Sequence, residues 1–243
     1  MSSFFSIITV AFNSEKTIED NILSVKNQSF QNYEHIIIDN NSTDLTEKIV
    51  NTNKHDKLYY LREKDFGIYD AMNKGIKLAK GKWIHILNSD DYYYSKNCLQ
   101  IASESLIQGQ LNYFKLAFVK KNKSLISIYS WKYNQFNMNI RASIPHPTMI
   151  ISKKQYNKIG LFNIKYKIAS DHDLTLRMCK IFKPVEHKSI LVNMREGGVS
   201  RTKPLIVASE FRDVTIANGF NFIFAYIIFF YRFIKFKLFI NEK

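Results

Sequence analysis

Cysteine is scarce in this chain: its 243 residues include two, Cys98 and Cys179, which lie far apart and without CxxC spacing. The sequence therefore predicts neither a disulfide framework nor a cysteine-based zinc site, and a reducing compartment is the expected environment. The N-terminus has no basic lead and turns polar after about ten residues, a pattern that indicates a buried strand and not a secretory signal.

Several well-known catalytic motifs are also missing. The sequence has no GxxxxGK(S/T) loop or GxGxxG turn to hold phosphates, and no HExxH pair to form a zinc hydrolase centre. No internal repeat or low-complexity linker divides the chain. We therefore expect one catalytic domain over residues 1–205, followed by a tail of different character over residues 206–243.

Negative charge is in the minority, since 21 Asp and Glu stand against 35 Lys and Arg, for a net charge of +14. This excess favours a polyanionic partner, and charge alone leaves nucleic acid, an acidic membrane surface and phosphorylated substrates open. A nucleic-acid-binding module would need clustered basic residues with exposed aromatics for stacking. The aromatics here lie mostly in strand-like runs or in the tail, so we expect no nucleic acid partner.

The first third of the chain has a regular alternation of strand and helix patterns. Short β-branched and aromatic runs predict strands at 6–12, 33–38, 57–62 and 82–87. Apolar residues at helical spacing predict helices over 18–25, 45–50 and 69–78. This order predicts an α/β fold with a mostly parallel central sheet flanked by helices.

The second half of the chain is less regular. Strand-like runs occur at 111–119 and 125–131, and their place in the sheet is left open. A helix is expected to start near Lys153, and a second helix is expected to carry Leu174, Met178 and Ile181 on one face.

Acidic and amide side chains follow the predicted strands. In parallel sheets ligands bind outside the carboxyl ends of the strands, and this rule brings residues 11–13, Asp39, 63–65 and 88–91 to one rim. The rim is rich in acids although the chain is basic. A divalent cation would reconcile these acids with a bound diphosphate, because carboxylate oxygens suit Mg²⁺ or Mn²⁺ and the cation bridges phosphate oxygens.

Several segments, in one order along the chain, carry a resemblance to a known family. They are SIITVAFNSEKTIEDNILSVKNQSF, IIIDNNSTD, EKDFGIYDAMNKGIKLAKGKWIHILNSDD and ASDHDLTLR. Together they resemble the family-2 inverting glycosyltransferases, which have the GT-A, Rossmann-like fold, and most closely the branch that builds bacterial capsule, O-antigen and exopolysaccharide. The resemblance is dense over residues 1–100 and holds in outline over 144–200.

The resemblance implies a nucleotide-sugar pocket at the rim. Its lining residues would be Thr9, Ala11, Asn13, Asp39, Gly67, Tyr69, Asp70, Asn73, Ser89 and Asp90. The Asp39 carboxylate would accept a hydrogen bond from the base, which suits the imide N–H of uracil or guanine, and a UDP-sugar is the expected donor. Asp90 and Asp91 would hold Mn²⁺ or Mg²⁺ against the diphosphate, with Asn88 where the family has its first acid.

The resemblance also implies the group that activates the acceptor. Asp171 would be the base that takes the proton of the attacking hydroxyl, and Ser170 replaces the acid that the family usually has beside it. Asp173 is expected to cap its helix or to pair with Arg177. His172 is expected to face solvent or to support the site.

Three further residues would lie on the acceptor or diphosphate side, namely His146, Arg195 and Ser200. A structural histidine and a plain surface turn are the alternatives for these positions. The implied acceptor is a hydroxyl of a glycan carried on a polyprenyl diphosphate. A transferase that acts directly on a polyprenyl monophosphate is the nearest alternative.

The tail over residues 219–240 is loaded with Phe, Tyr and Ile. Its uncharged part before Arg232 is about 13 residues, a helix of roughly 20 Å against a hydrocarbon core of about 30 Å, so a membrane span is not expected. Arg232, Lys235 and Lys237 among these aromatics favour a helix in the membrane interface, drawn by anionic lipid. Core packing or a dimer contact is the alternative. We expect a cytoplasmic enzyme, peripheral on the inner face of the cell membrane.

Overall fold

The structure, a computed structural model, describes residues 3–130, 132–140, 144–197 and 203–240, with the side chains of the last helix as far as residue 234. Its strands are β1 (Phe5–Ala11), β2 (Tyr33–Asp39), β3 (Leu58–Arg62), β4 (Trp83–Ile86), β5 (Tyr92–Tyr93), β6 (Leu111–Val119), β7 (Leu125–Tyr129), β8 (Met149–Ser152) and β9 (Pro184–Arg195). Its helices are α1 (Ile18–Lys26), α2 (Thr46–Thr52), α3 (Ile68–Leu78), α4 (Cys98–Ser105), α5 (Gln135–Ile140), α6 (Lys153–Ile159), α7 (Ser170–Ile181), α8 (Pro204–Ala217) and α9 (Phe222–Ile240), with a 3₁₀ turn at His146–Thr148.

The strands form one mixed sheet in the order β3-β2-β1-β4-β8-β6-β9-β5, with β7 paired to β6. β1 runs parallel to β2 and β4, and β2 runs parallel to β3, so the predicted parallel arrangement is confirmed for this half. The other half departs from the prediction, because β8 lies between β4 and β6 and is antiparallel to both. Antiparallel neighbours need no crossover helix, so strand and helix alternation along the sequence does not predict them.

The ends of the first four strands meet at one edge. In the parallel register Ala11 lies opposite Asp39, and Asp39 lies opposite Arg62. β4 pairs with β1 as far as Ile86, after which the chain turns into the acidic segment 88–91. The predicted rim at the carboxyl ends of β1 to β4 is therefore confirmed.

Helix α3 packs closely on β1. A Cβ atom added at Gly75 would overlap the side chain of Ile8, so the absence of a side chain allows this approach. Met72 and Ile76 of the same helix are buried in the core cluster that contains Ile8. The helix begins after Gly67, whose φ of +120° lies in the region that favours glycine. Because the loop before Gly67 leaves the end of β3, the first turn of the helix lies beside the rim.

The C-terminal helices pack onto the preceding part of the chain, with α8 against α7 and α9 against α8 and α5. The predicted boundary between residues 205 and 206 falls inside α8. On α7, Leu174 and Met178 are buried as predicted, but Ile181 is 53% exposed because it lies in the last turn. Among the described helices, none is both long enough and apolar enough to cross a bilayer.

Helix α9 leaves most of its surface uncovered. Its large exposed apolar side chains are Phe222, Ile223, Phe224, Tyr226, Ile227, Phe230, Tyr231 and Ile234. Arg232 behaves differently from the prediction, since its guanidinium lies 4.0 Å from the ring centroid of Phe211 and donates to the carbonyl of Ile140. The charge of Arg232 is thus at least partly engaged within the protein, where the sequence predicts attraction to anionic lipid.

Candidate active site

Asp39 ends β2 as a fully buried carboxylate. One of its oxygens accepts from the Ser42 hydroxyl and, at 3.2 Å, from the Ser42 N–H, while the other accepts from the Tyr60 hydroxyl at 2.7 Å. Arg62 lies alongside, with Nε 3.7 Å from Asp39 Oδ2. A base N–H that reached Asp39 would therefore share an oxygen that Ser42 or Tyr60 already contacts.

The end of β1 holds two of the predicted residues in different settings. Thr9 is fully buried, and its hydroxyl lies 3.0 Å from both Asn21 Oδ1 and His35 Nε2, so the structure places it in the interior beneath the rim. Asn13 lies at the rim with φ +50°, and its Oδ1 accepts from the Thr43 N–H at 2.9 Å. Thr9 thus lies beneath the rim, whereas Asn13 helps to shape the edge of the rim.

The loop between β3 and α3 is folded by its own carboxylates. Asp65 Oδ1 accepts from the Gly67 N–H at 2.8 Å, and Asp70 Oδ2 accepts from the Phe66 N–H at 3.1 Å. In the loop that these bonds shape, the Phe66 residue is 88% exposed. Phe12, which follows β1, is 59% exposed. Exposed aromatic rings can stack on a base or sugar. The sequence placed Phe12 at the rim within residues 11–13 but gave neither ring a role, although a single aromatic residue inside a polar strand-end loop was the available signal.

Two residues predicted to bind the nucleotide instead tie α3 to the segment before α7. Asn73 exchanges two hydrogen bonds with Phe162, donating to its carbonyl and accepting from its N–H, each at 2.9 Å. The Tyr69 hydroxyl lies 2.5 Å from the carbonyl oxygen of Ile168 and 3.2 Å from Asp171 Oδ1. Tyr69 therefore connects α3 with the predicted base, and Asn73 connects α3 with Phe162.

The acidic turn after β4 is held by a buried amide of α1. The Asp91 N–H donates to the Asn88 carbonyl at 3.0 Å and closes the turn. Asn21 Nδ2 donates to the carbonyls of Asn88 and Asp91 at 2.9 and 3.0 Å, and the hydroxyls of Ser89 and Ser14 lie 2.9 Å apart. Sequence reasoning missed Asn21, because no local pattern marks an amide whose partners lie 67 and 70 residues away.

Two acceptor oxygens of this turn, Asn88 Oδ1 and Asp91 Oδ1, are buried and have no partner among the described residues. Burial raises the pKa of Asp91 well above its ordinary value, and the neighbouring Asp90 adds to the rise. Burial also raises the pKa of Asp90. No three His, Cys, Asp or Glu side chains cluster as ligands in the described ranges. The unpaired oxygens fit a hard divalent cation that completes its shell with diphosphate and water.

Arg195, at the end of β9, supports the same turn. It is 7% exposed, donates to the backbone carbonyl of Asp90 at 2.6 Å and pairs with Asp20. Its guanidinium also lies 4.7 Å from the ring centroid of Tyr92. These contacts anchor the acidic turn to α1 and β9. Ser200, the other residue of this segment that was predicted on the acceptor or diphosphate side, lies outside the described residues.

Asp171 lies in the first turn of α7 and is partly exposed. Its Oδ1 accepts from the His172 N–H at 2.8 Å and lies near the Tyr69 hydroxyl. No described residue donates a hydrogen bond to Oδ2. Burial raises the pKa of Asp171, while the donors on Oδ1 oppose that rise. One oxygen of this carboxylate is thus held in place, while the other has no donor among the described residues.

The neighbours of Asp171 on α7 are structural. Asp173 pairs with Arg177 at 2.9 Å, which confirms the predicted pair. His172 is 4% exposed and stacks on Phe211 with the ring centroids 4.2 Å apart, so the expectation that it faces solvent is wrong. Burial lowers the pKa of His172 to about 3, with Arg232 adding to the effect, and its imidazole is therefore neutral at pH 7.

His146 begins the 3₁₀ turn before β8 and is 8% exposed. Its ring meets Phe162 edge to face, with the centroids 5.4 Å apart, and Phe162 also stacks on Tyr69. Burial lowers the pKa of His146 to about 4, and His85 nearby adds to the effect. His146 thus contributes a neutral ring to the packing beside the segment that carries Asp171.

Comparisons of sequence relate this chain to known proteins. The profile of glycosyl transferase family 2 matches residues 6–161. A PGL/p-HBAD biosynthesis glycosyltransferase of Mycobacterium bovis is 26% identical over 181 residues, which cover 71% of this chain and 68% of that protein. An uncharacterised glycosyltransferase of Rickettsia prowazekii is 27% identical over 205 residues, which cover 80% of this chain and 64% of that protein.

Two solved structures share the fold. S. aureus TarS, residues 1–349, aligns with a TM-score of 0.68 and 21% identity over 93% of this chain and 69% of that chain. The mannosyltransferase PcManGT of Pyrobaculum calidifontis, in complex with GDP-Man and Mn²⁺, aligns with a TM-score of 0.64 and 15% identity over 88% of this chain and 63% of that chain. These likenesses establish the GT-A architecture, and the profile match covers more than half of the sequence. The chain therefore belongs to glycosyl transferase family 2.

Proposed function

We propose that this glycosyltransferase is a metal-dependent inverting enzyme that moves a hexosyl or N-acetylhexosaminyl group from a nucleoside diphosphate to a hydroxyl of a lipid-linked glycan in bacterial surface polysaccharide synthesis. The observation that supports it best is the rim, where Asp39 ends β2 and the acidic turn 88–91 follows β4, the two strands that flank β1. Asp171 is joined to this side of the fold through Tyr69. UDP is the proposed nucleotide, since TarS structures hold UDP and UDP-GlcNAc.

In this proposal the acidic turn receives the diphosphate together with a divalent cation. Asp90, Asp91 and Asn88 would hold Mn²⁺ or Mg²⁺, which would stabilise the negative charge that grows on the leaving diphosphate. Asn21 and Arg195 keep the turn in place through its backbone carbonyls, so its side chains stay available. The exposed rings of Phe12 and Phe66 offer stacking surfaces for the donor at the same rim.

Asp171 is the proposed base. Its Oδ1 is fixed by the His172 N–H, and its Oδ2 is available to accept the proton of the acceptor hydroxyl as that oxygen attacks the anomeric carbon opposite the diphosphate. The raised pKa makes the carboxylate a stronger base than an exposed aspartate. The Tyr69 hydroxyl, 3.2 Å from Oδ1, stabilises its charged form.

Helix α9 is the proposed membrane contact. Ile223, Ile227, Phe230 and Ile234 recur at i, i+4, i+7 and i+11, and each is more than half exposed. An uncharged stripe of this kind inserts into the headgroup boundary, and the net charge of +14 attracts anionic lipid. This arrangement would keep a cytoplasmic enzyme on the inner face of the membrane, where a polyprenyl-diphosphate-linked acceptor lies.

Donor binding and transfer test the enzymatic part. A thermal-shift screen of UDP, GDP and dTDP sugars with MnCl₂ should reveal one nucleotide that stabilises the protein, by about 2.7 kcal/mol at 100 times its Kd. Asp91→Ala should abolish transfer to a polyprenyl-diphosphate-linked primer and remove the Mn²⁺ dependence of donor binding. Asp56→Ala, an exposed carboxylate before β3, is the matched control. Normal transfer by Asp91→Ala, or by wild type in EDTA, refutes the metal-dependent mechanism.

Vesicle binding tests the membrane contact. Wild type should cosediment with phosphatidylglycerol vesicles, and the double variant Ile227→Ser, Phe230→Ser should not. Ile126→Ser with Ile128→Ser, two exposed positions of β7, is the matched control. Equal binding by the α9 variant contradicts the proposal, as does a wild-type dimer in light scattering that only the α9 variant dissociates, since that result assigns the stripe to a second copy.

A further inference from the structure

The loop before α7 is held by a carboxylate from the C-terminal helices. Glu210 of α8 accepts from three consecutive N–H groups: Oε1 from Lys167 at 2.8 Å, and Oε2 from Ile168 at 2.8 Å and Ala169 at 3.0 Å. Ala169 is the N-cap of α7 and provides no side-chain cap. The helix that carries Asp171 therefore has its start fixed by a residue about 40 positions later in the chain.

Helix α3, which precedes this loop in the chain, also holds the loop. The carbonyl of Ile168 accepts from the Tyr69 hydroxyl at 2.5 Å, while its N–H donates to Glu210. The backbone carbonyl and N–H of Ile168 are thus both hydrogen-bonded to side chains, the first to a residue of α3 and the second to a residue of α8. The backbone two to three residues before Asp171 is defined by these two helices together.

A second contact reaches the residue after Asp171. Phe211, the neighbour of Glu210 on α8, stacks on His172 with the centroids 4.2 Å apart and the planes 11° from parallel. Neither ring nitrogen of His172 has a hydrogen-bond partner in the part of the chain that the structure describes. The stack on Phe211 therefore orients this ring, and the guanidinium of Arg232 in α9 in turn lies 4.0 Å from the ring centroid of Phe211.

We propose that Glu210 is a positioning residue for the base, which fixes the loop 167–169 so that Asp171 presents Oδ2 to the acceptor hydroxyl. This inference rests on the proposed role of Asp171. Phe211 assists by fixing the following residue, His172. Helices α8 and α9 are therefore part of the catalytic unit in addition to any contact they make with a membrane.

The charge of Glu210 gives the proposal a second, electrostatic signature. The titratable groups that influence Asp171 are Tyr69 from α3, Glu210 from α8 and the adjacent His172, which is neutral. Burial is the main cause of the raised pKa of Asp171, and the negative charge of Glu210 adds to the rise. Removal of that charge should therefore lower the pKa of the base and extend activity to lower pH.

The test compares Glu210→Gln with Asp213→Asn, a matched control on the same helix whose carboxylate is half exposed and pairs with Arg212. Hydrogen–deuterium exchange on the intact protein should show at least about tenfold faster exchange for the amides of 167–169 in Glu210→Gln and no change in the control. This measurement needs no substrate.

Kinetics use nucleotide release from UDP-GlcNAc or GDP-mannose, whichever stabilises the protein more, with MnCl₂ and water as the acceptor. Glu210→Gln should lower kcat by about 10- to 100-fold with little change in the donor KM. The fall in kcat on the acidic side of its pH profile, the acid limb, should move to lower pH in this variant. Asp213→Asn should stay within about twofold of wild type. If Glu210→Gln cannot be purified, Phe211→Leu takes its place, with the same fall in kcat expected.

The outcomes separate this inference from the proposed function. Wild-type rates in Asp171→Asn remove Asp171 as the base, and both proposals fail. An inactive Asp171→Asn together with a Glu210→Gln variant that matches Asp213→Asn in exchange or kcat overturns the positioning role alone. Loss of kcat without a shift of the acid limb also overturns it, because a merely structural defect would give that result.

Discussion

Replacement of Tyr69 by Phe removes a single hydroxyl from the contact between α3 and the proposed base. That oxygen lies 2.5 Å from the Ile168 carbonyl oxygen and 3.2 Å from Asp171 Oδ1. A tyrosine hydroxyl has one proton, which these two acceptors share, and the Ile168 carbonyl at the shorter distance makes the stronger of the two hydrogen bonds. The stack of the ring on Phe162, with the centroids 5.5 Å apart, stays available to Phe.

The size of the effect follows from these two contacts. A buried acceptor that loses its donor costs about 1–3 kcal/mol, and Tyr69 is 7% exposed, so solvent replaces the hydroxyl poorly. For a protein of this length 1 kcal/mol corresponds to about 2–4 °C in Tm. We expect Tyr69→Phe to melt roughly 2–12 °C lower than wild type and to lose up to about 100-fold in kcat through displacement of the base.

The pH dependence gives the sharper test. Hydrogen bonding from Tyr69 to the charged carboxylate lowers the pKa of Asp171, in opposition to the larger effect of burial. Without the hydroxyl the pKa rises, so less of the base is ionised at a given pH and the acid limb of kcat should move to higher pH. The assay is nucleotide release measured across the acid limb. A limb that stays in place or moves to lower pH, in a protein whose Asp171→Asn variant is inactive, would refute the reasoning.

Two further predictions concern the rim and its support. Asp91→Asn removes a buried charge beside Asp90, so without metal the variant should have a higher Tm than wild type in differential scanning fluorimetry. Mn²⁺ should not stabilise the variant further. A response to Mn²⁺ equal to that of wild type contradicts the cation site. In wild type, Mn²⁺ should stabilise more at neutral than at mildly acidic pH, because the raised pKa of Asp91 means that a proton has to leave before the cation binds. Gly75→Ala places a methyl group against Ile8 and should cost about 1–3 kcal/mol in urea unfolding, and no loss of stability would show that α3 can move away from β1.

The rim could be predicted from sequence because two simple rules act together. Each of β1 to β4 is a short β-branched or aromatic run, and parallel pairing then brings their carboxyl ends to one edge. The observed register, with Ala11 opposite Asp39, follows from those rules without any knowledge of the side-chain contacts. The acids at the end of β2 and after β4 are therefore expected at this edge.

The direction in which individual side chains point was harder to predict. Motif position places Thr9 and Asn73 near the nucleotide, but it carries no information on the partners Asn21 and Phe162, which lie 12 and 89 residues away. The same holds for Arg232. It follows Ala225 by seven residues, so helical spacing puts both on the packed face of α9, but that this face is packed emerges only from the burial of Ala225 in the structure.

Asp91 and Asp171 are two carboxylates with the same main perturbation, burial, but with different proposed roles. Burial is the main cause of the raised pKa of each. Asp91 stands beside a second acid, Asp90, and has a buried oxygen without a described donor, so a cation is the partner that would relieve it. Asp171 receives an N–H and lies near a hydroxyl, which stabilise its charge without a cation and leave Oδ2 for a proton. The donors around each acid, and not the acids themselves, thus separate the proposed metal ligand from the proposed base.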